Sequence, residues 1–307
     1  KDVLQKSTEG FGVFGNYSST KDQTFGANLF NNQQVKYSST DNKWAYENTK
    51  YWPTEGHIDF LAYAPYVGTP NFNGSSIDFT VENNVAAQKD LLYAKADGQT
   101  MANNSGTNKV KFQFKHALSR LGYSVKLKGT CSSDATITLK KITLAGSAPE
   151  PTTGTTTESA KAFYTNGTID LSAGIWEKHS AGAGKQDFIN WFSVTQDVTS
   201  ASESKPYKNP TSDYLFVIPQ NFSEKIEDAG LQKENPDKLY VIVEYDIHYK
   251  DIDKTITNKV YKQLTQEFEQ GKAYTINLTL GLTPIEFDVT TVEGWTDINQ
   301  VEINSWN

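Results

Sequence analysis

Residues 240–249 read YVIVEYDIHY, apolar and polar side chains alternating over ten positions. Successive side chains of a strand point to opposite faces, so a period of two marks an element with one face on a core. This is the longest such stretch, and the same spacing recurs on both sides of it. Upstream, residues 214–218 form a continuous apolar run closed by Pro219, which predicts a strand buried on both faces. Downstream, Ile276, Leu278 and Leu280 lead to Gly281, and Ile285, Phe287 and Val289 follow Pro284.

The first half repeats the pattern. Phe11, Val13 and Tyr17 open a strand among glycines, and Val35 and Tyr37 alternate with polar neighbours. Asp41 and Asn42 supply turn chemistry before Trp44 and Tyr46. Ile58, Phe60, Ala62 and Ala64 alternate with Asp59, Leu61 and Tyr63 until Pro65 stops the run. Three further alternations place Ile77, Phe79 and Val81, then Val110, Phe112 and Phe114, then Tyr123, Val125 and Leu127 on strands, with Ile137, Leu139, Ile142 and Leu144 after them. Short strands between turn signals predict an all-β fold of sandwich or barrel type. Helical signal is weak: one turn at 118–121 and another at 265–271.

Composition agrees. Tyr (16), Phe (16) and Trp (6) are abundant and Met occurs once, a mixture suited to half-buried pleated surfaces. The 307 residues suffice for one large or two ordinary domains. Residues 146–159, GSAPEPTTGTTTES, are low in complexity and form either a linker between domains or a long loop within the second. A shift in the polar-aromatic pattern around 116–119 favours the loop and sets the expected domains at 1–117 and 118–307. A second long loop is expected at 200–211.

The net charge is −7, and the first 117 residues hold 11 lysines and 11 acids, so the whole excess lies beyond them. An acidic chain with one arginine, Arg120, has no basic face for nucleic acid. One cysteine, Cys131, forms neither an intrachain disulfide nor a cysteine metal site. No apolar run reaches the ~18 residues needed to span a bilayer.

Catalytic spacing is missing. His57, His116, His179 and His248 show no i, i+4 pairing, and no HExxH, GxSxG, P-loop or dinucleotide motif occurs. The acids Asp246, Asp251 and Asp253, and Asp288 and Asp297, cluster without a DxDxDG calcium loop. Any chain with 36 acids offers distant carboxylate pairs, so a glycosidase reading has nothing specific behind it. The expectation is a non-enzymatic protein with no cofactor and no metal. Trp44, Tyr51, Trp52, Tyr63 and Tyr66 crowd one region, and Trp44, Tyr51, Trp52 and Tyr66 are candidate surface aromatics for stacking on sugar rings; cross-strand and core packing is the favoured reading of these rings.

The block NNQQVKYSSTDNKWAYENTKYWPTEGHIDFLAYAPY at 31–66 resembles the fimbrillin family of Bacteroidales fimbriae, with its W-x-Y pair, YWP element and FxAYAP strand. GFGVFGNY at 10–17 is similar to the family's opening strand, and FKHALSRLGYSVKL at 114–127 to the signature between its halves. YLFVIPQ at 214–220 and the stretch AYTINLTLGL to IEFDVTTVEGW at 273–295 are similar to the second half and the ending.

The resemblance implies two tandem transthyretin-like β-sandwich domains in a lipoprotein precursor, attached to the outer membrane only through its lipid anchor. It implies an extracellular structural subunit that assembles with other fimbrial subunits by β-strand exchange and supports adhesion to a host or bacterial surface receptor. A surface glycan-binding lipoprotein is the alternative. Ten residues precede Phe11, so the family's removable first strand is expected to be absent and the groove of the first domain open. The ending TDINQVEINSWN, with Ile298, Val301, Ile303 and Trp306 apolar, is the expected polymerisation tail, as a donor strand or as the last strand of the second domain.

Overall fold

Strands dominate the chain, as a period of two demands. A computed structural model describes residues 2–20, 24–107, 109–127, 135–146, 162–178, 185–186, 188–192, 196–198, 207–208, 214–223, 238–280 and 286–291. A five-residue helix, Asp2–Lys6 (α1), comes first. Then follow β1 (Phe11–Ser18), β2 (Phe30–Ser38), β3 (Lys43–Ala45), β4 (His57–Ala64), β5 (Phe72–Asn73), β6 (Ser76–Thr80), β7 (Leu92–Gln99) and β8 (Lys115–His116). Next are β9 (Ser119–Leu127), β10 (Ala135–Ala145), β11 (Phe163–Tyr164), β12 (Asn166–Asp170), β13 (Ile175–Lys178), β14 (Lys185–Gln186), β15 (Phe188–Phe192) and β16 (Gln196–Val198). The remainder holds β17 (Tyr207–Lys208), β18 (Leu215–Val217), β19 (Gln220–Asn221), β20 (Leu239–Tyr249), β21 (Lys254–Leu264), β22 (Glu267–Phe268), β23 (Ala273–Leu280) and β24 (Glu286–Thr291).

The chain divides into two compact units. The first comprises Lys1–Thr80, Lys89–Ala117 and Asn166–Ala181; the second comprises Val81–Gln88, Leu118–Thr165 and Gly182–Asn307. A cut between 117 and 118 leaves Asn166–Ala181 on the wrong side. Those residues return to the first unit because β12 pairs antiparallel with β6, Asn166 opposite Thr80 and Asp170 opposite Ser76. The indole of Trp176 in β13 then donates to the Ala117 carbonyl at 2.8 Å.

In the first unit a six-stranded sheet has the order β3-β2-β1-β4-β7-β8, and a four-stranded sheet the order β13-β12-β6-β5. β4 is buried on both faces from Phe60 onward. One face carries Leu61 and Tyr63 beside Phe14, which stacks on Phe72 of β5 with ring centroids 3.7 Å apart. Gly10 joins α1 to β1 at φ +69°, where an added Cβ would collide with the Val35 carbonyl oxygen. A backbone obstacle cannot rotate away, so glycine is required there.

The Tyr63 hydroxyl lies 2.7 Å from Asn32 Oδ1 and 2.9 Å from the Val67 carbonyl oxygen, and accepts from the Val67 N–H at 3.3 Å. Burial pushes its pKa up from 10.0 to about 12, the N–H donated by Val67 opposing the shift. Between those values the unfolded phenol ionises while the folded one stays neutral, so the unfolded chain binds fewer protons. The contribution to stability is complete below pH 10 and lost as pH rises through about 12. Urea midpoints measured at intervals across that window should fall for wild type and flatten for Tyr63→Phe. Parallel slopes would contradict the assignment.

In the second unit β15-β10-β20-β21 form one sheet, with β16 also on β10, and β17-β9-β23-β24 another, with β18 also on β9. β20, which contains the YVIVEYDIHY stretch, pairs along its length with β21 and β10. Leu239, Val241, Val243, Tyr245 and Ile247 on one of its faces are all buried. β23 runs parallel to β9, Ala273 opposite Arg120 and Leu280 opposite Leu127. The run at 214–218 is buried at Leu215, Val217 and Ile218, but Phe216 is only half-buried. Both helical turns expected from the sequence are absent: 118–121 enters β9, and 265–271 contains β22. The 147–159 part of the first expected loop lies outside the described residues, as does 200–211 apart from β17, which pairs with β9.

Candidate functional site

The FGVFG sequence of β1 sends Phe11 and Val13 to the face of the six-stranded sheet opposite Phe14. Phe11 and Val13 join Val35, Ile58, Phe60, Ala62, Ala64, Ala94 and Ala96 in a buried apolar cluster. Four alanines at the β4–β7 seam give this floor little height, so rings can lie across it. Gly15 serves the same end: a Cβ there would meet the rings of Phe30 and Phe60 at 2.7 and 3.1 Å.

The layer above the floor is made mostly of chain outside the ladders. Leu4 of α1, Trp44 of β3, Trp52 between β3 and β4, and Val110, Phe112 and Phe114 before β8 pack against it and are only partly buried. Phe11 makes edge-to-face contacts with Trp44 (5.1 Å), Phe112 (5.9 Å) and Phe114 (5.4 Å), and Phe60 one with Phe112 (6.1 Å). Such pairs contribute about 0.5–1.5 kcal/mol each beyond the area they bury.

Residues 110–114 keep the alternation read from the sequence, with Val110, Phe112 and Phe114 inward and Lys111 and Gln113 exposed. They nevertheless belong to no ladder. β8 pairs with β7 only at Leu92–His116 and Tyr93–Lys115. Beyond that point β7 carries an ion pair between Lys95 and Asp97 at 2.9 Å, and Gly98, at φ +59°, donates its N–H to Asp59 Oδ1 of the paired strand β4 at 2.6 Å. Among the described residues, none exchanges backbone hydrogen bonds with 110–114. Five residues whose backbone donors and acceptors have no partner among the described residues thus border a partly covered apolar face. That combination can accept one more strand.

The candidate aromatics do not form one platform. Trp44 and Trp52 pack on the cluster, Tyr63 is buried, Tyr66 is half-buried with its N–H on the Gly10 carbonyl at 3.2 Å, and Tyr51 is 86% exposed. Ile298, Val301, Ile303 and Trp306 lie outside the described residues. The three described histidines have separate partners, His179 lying outside the described residues: His57 Nε2 is 3.3 Å from Asp59, His116 Nδ1 is 2.5 Å from Asp90, and His248 Nδ1 is 3.2 Å from the Thr255 hydroxyl. No group of three or more His, Cys, Asp or Glu side chains converges on a metal position among the described residues. Nor is any helix among them long and apolar enough to cross a membrane. Sequence reasoning missed the special standing of Val110, Phe112 and Phe114, since VKFQF alternates like any paired strand. Leu4 gave no periodic signal at all.

Comparisons with known proteins agree with this architecture. The fimbrium subunit Fim1C of Phocaeicola vulgatus is 29% identical over 341 aligned positions, covering 97% of this chain and 85% of that protein. The crystal structure of a fimbrial protein from Bacteroides vulgatus superposes with a TM-score of 0.74 at 22% identity, over 96% of this chain and 95% of that one, and so shares its fold. A profile of the fimbrillin-like family matches residues 4–295. With nearly its whole length matched, the chain belongs to the fimbrillin-like family.

Proposed function

We propose that the protein is a structural subunit of a cell-surface fimbria that polymerises by strand addition to the first unit. The observation that carries this reading is the segment 110–114, which lies over the apolar cluster with its backbone unpaired among the described residues. An incoming strand pairs with that backbone and sets alternate apolar side chains on the floor of Phe11, Val13 and Phe60. The donor is the 296–307 tail of a neighbouring subunit, through Ile298, Val301, Ile303 and Trp306. The two units are tandem transthyretin-like β-sandwiches, the first built from 1–80 and 89–117 together with the returning β12 and β13.

Function is then mechanical and adhesive. The polymer projects from the outer surface, its precursor held by a lipid anchor, and its exposed faces meet a host or bacterial receptor. No catalytic step is involved. The engagement of Trp44 and Trp52 with the cluster supports a framework role for these rings over stacking on sugars.

Two variants test the reading, one on each side of the contact. Deleting 296–307 removes the donor, and Phe112→Asp places a charge where the strand must dock. Burying an unpaired carboxylate costs well over the 1.4 kcal/mol that corresponds to tenfold in affinity. Polymer recovered by sedimentation should fall at least about tenfold in either case. Undiminished polymer from the tail deletion would remove the donor; undiminished polymer from Phe112→Asp would remove the acceptor.

A further inference from the structure

We infer that α1 is a displaceable plug, which covers part of the acceptor face through Leu4 and swings aside about residues 7–10 when a strand enters. The inference rests on the strand-addition reading above and adds a gate to it.

The layer over the cluster is not equally attached everywhere. Trp44 is held in the β2–β3 ladder opposite Tyr37. Residues 110–114 contribute three apolar side chains, and two of their rings make edge contacts with Phe11. The helix rests against β2 and contributes Leu4. Lys6 is exposed, and among the described residues nothing hydrogen-bonds the Gln5 or Lys6 side chain. A helix of five residues is far below the dozen or so needed for marginal stability alone, so it persists only while its apolar contact does.

The polar anchors sit instead at the joint behind the helix. The Ser7 hydroxyl oxygen accepts from the N–H groups of Glu9 and Gly10 at 3.2 and 3.1 Å. Gln34 Nε2 donates to the Glu9 carbonyl at 2.8 Å, and Lys89 forms an ion pair with the Glu9 carboxylate. Gly10 completes the joint in the left-handed region. A fixed joint followed by a short helix with a single described apolar contact is the construction of a flap. Closed, it shields an apolar face beside an open edge, the combination that otherwise invites unspecific association.

Leu4→Ser in the full chain weakens the plug without touching the sheet, and Gln5→Ser is the matched control on the same helix. Binding of the dye ANS and of a synthetic peptide of residues 296–307 is followed by fluorescence, with urea midpoints confirming that all three proteins are folded. The expected result is a severalfold gain in dye fluorescence and a severalfold faster peptide association for Leu4→Ser, with Gln5→Ser like wild type. Equal dye signals and equal association rates, with peptide bound by all three proteins, would overturn the plug and leave strand addition standing. Failure of all three to bind peptide would overturn strand addition, and the gate with it.

Discussion

Phe14→Ala is expected to destabilise the first unit by about 3–5 kcal/mol, the range for deleting a buried phenylalanine ring. Phe14 is fully buried, stacked on Phe72 at 3.7 Å and beside Tyr63 at 6.0 Å. It comes from the middle of β1, and Phe72 comes from the other sheet, so one side chain joins the two layers. The neighbours cannot close the gap cheaply, because Tyr63 is pinned by its bonds to Asn32 and Val67. A typical domain is stable by about 5–15 kcal/mol, so the loss is a large share of the total. In urea it corresponds to a midpoint shift of about 1 M or more. Near-UV circular dichroism would follow the first unit, and a change below about 1 kcal/mol would show that the stack does not close the layers.

Trp176 carries the second large effect. It is 4% exposed, lies in β13, and donates to the Ala117 carbonyl, whose own N–H donates to Leu91. Trp176→Ala removes both packing and hydrogen bond and should cost about 3–5 kcal/mol. Trp176→Phe keeps most of the ring volume but strands a buried carbonyl, and should cost about 1–3 kcal/mol. Hydrogen exchange in β12 and in the facing strand β6 should speed up in both variants, more in the alanine. Equal costs for the two substitutions would mean that the indole N–H contributes nothing. Unchanged exchange in β12 would mean that Trp176 does not fasten the returning segment.

These two residues differ in how readable they were. Phe14 sits in a strand that the sequence announces, but FGVF places apolar residues on both faces, and no pattern says which layer each one joins. Trp176 stands in a short strand far along the chain from Ala117. Its membership of the first unit depends on β12 finding β6, a pairing for which the sequence holds no local sign. The same holds for β23 lying parallel to β9. The two expected helical turns failed because local propensity at 118–121 and 265–271 yields to ladder pairing and core burial.

The opening stretch, YVIVEYDIHY, became β20, buried on the predicted alternate positions. What the sequence determined by itself is of this kind: side-chain period, turn chemistry and the ordered family motifs, all properties of neighbours along the chain. Only the tertiary structure decided that VKFQF at 110–114 crosses an apolar face with no backbone partner among the described residues, and that Leu4 helps to cover the same face. The reason is physical. Alternation reports which way side chains point, whereas a missing partner strand is a fact about what lies beside the backbone, and that neighbour is not encoded in the residues that lack it.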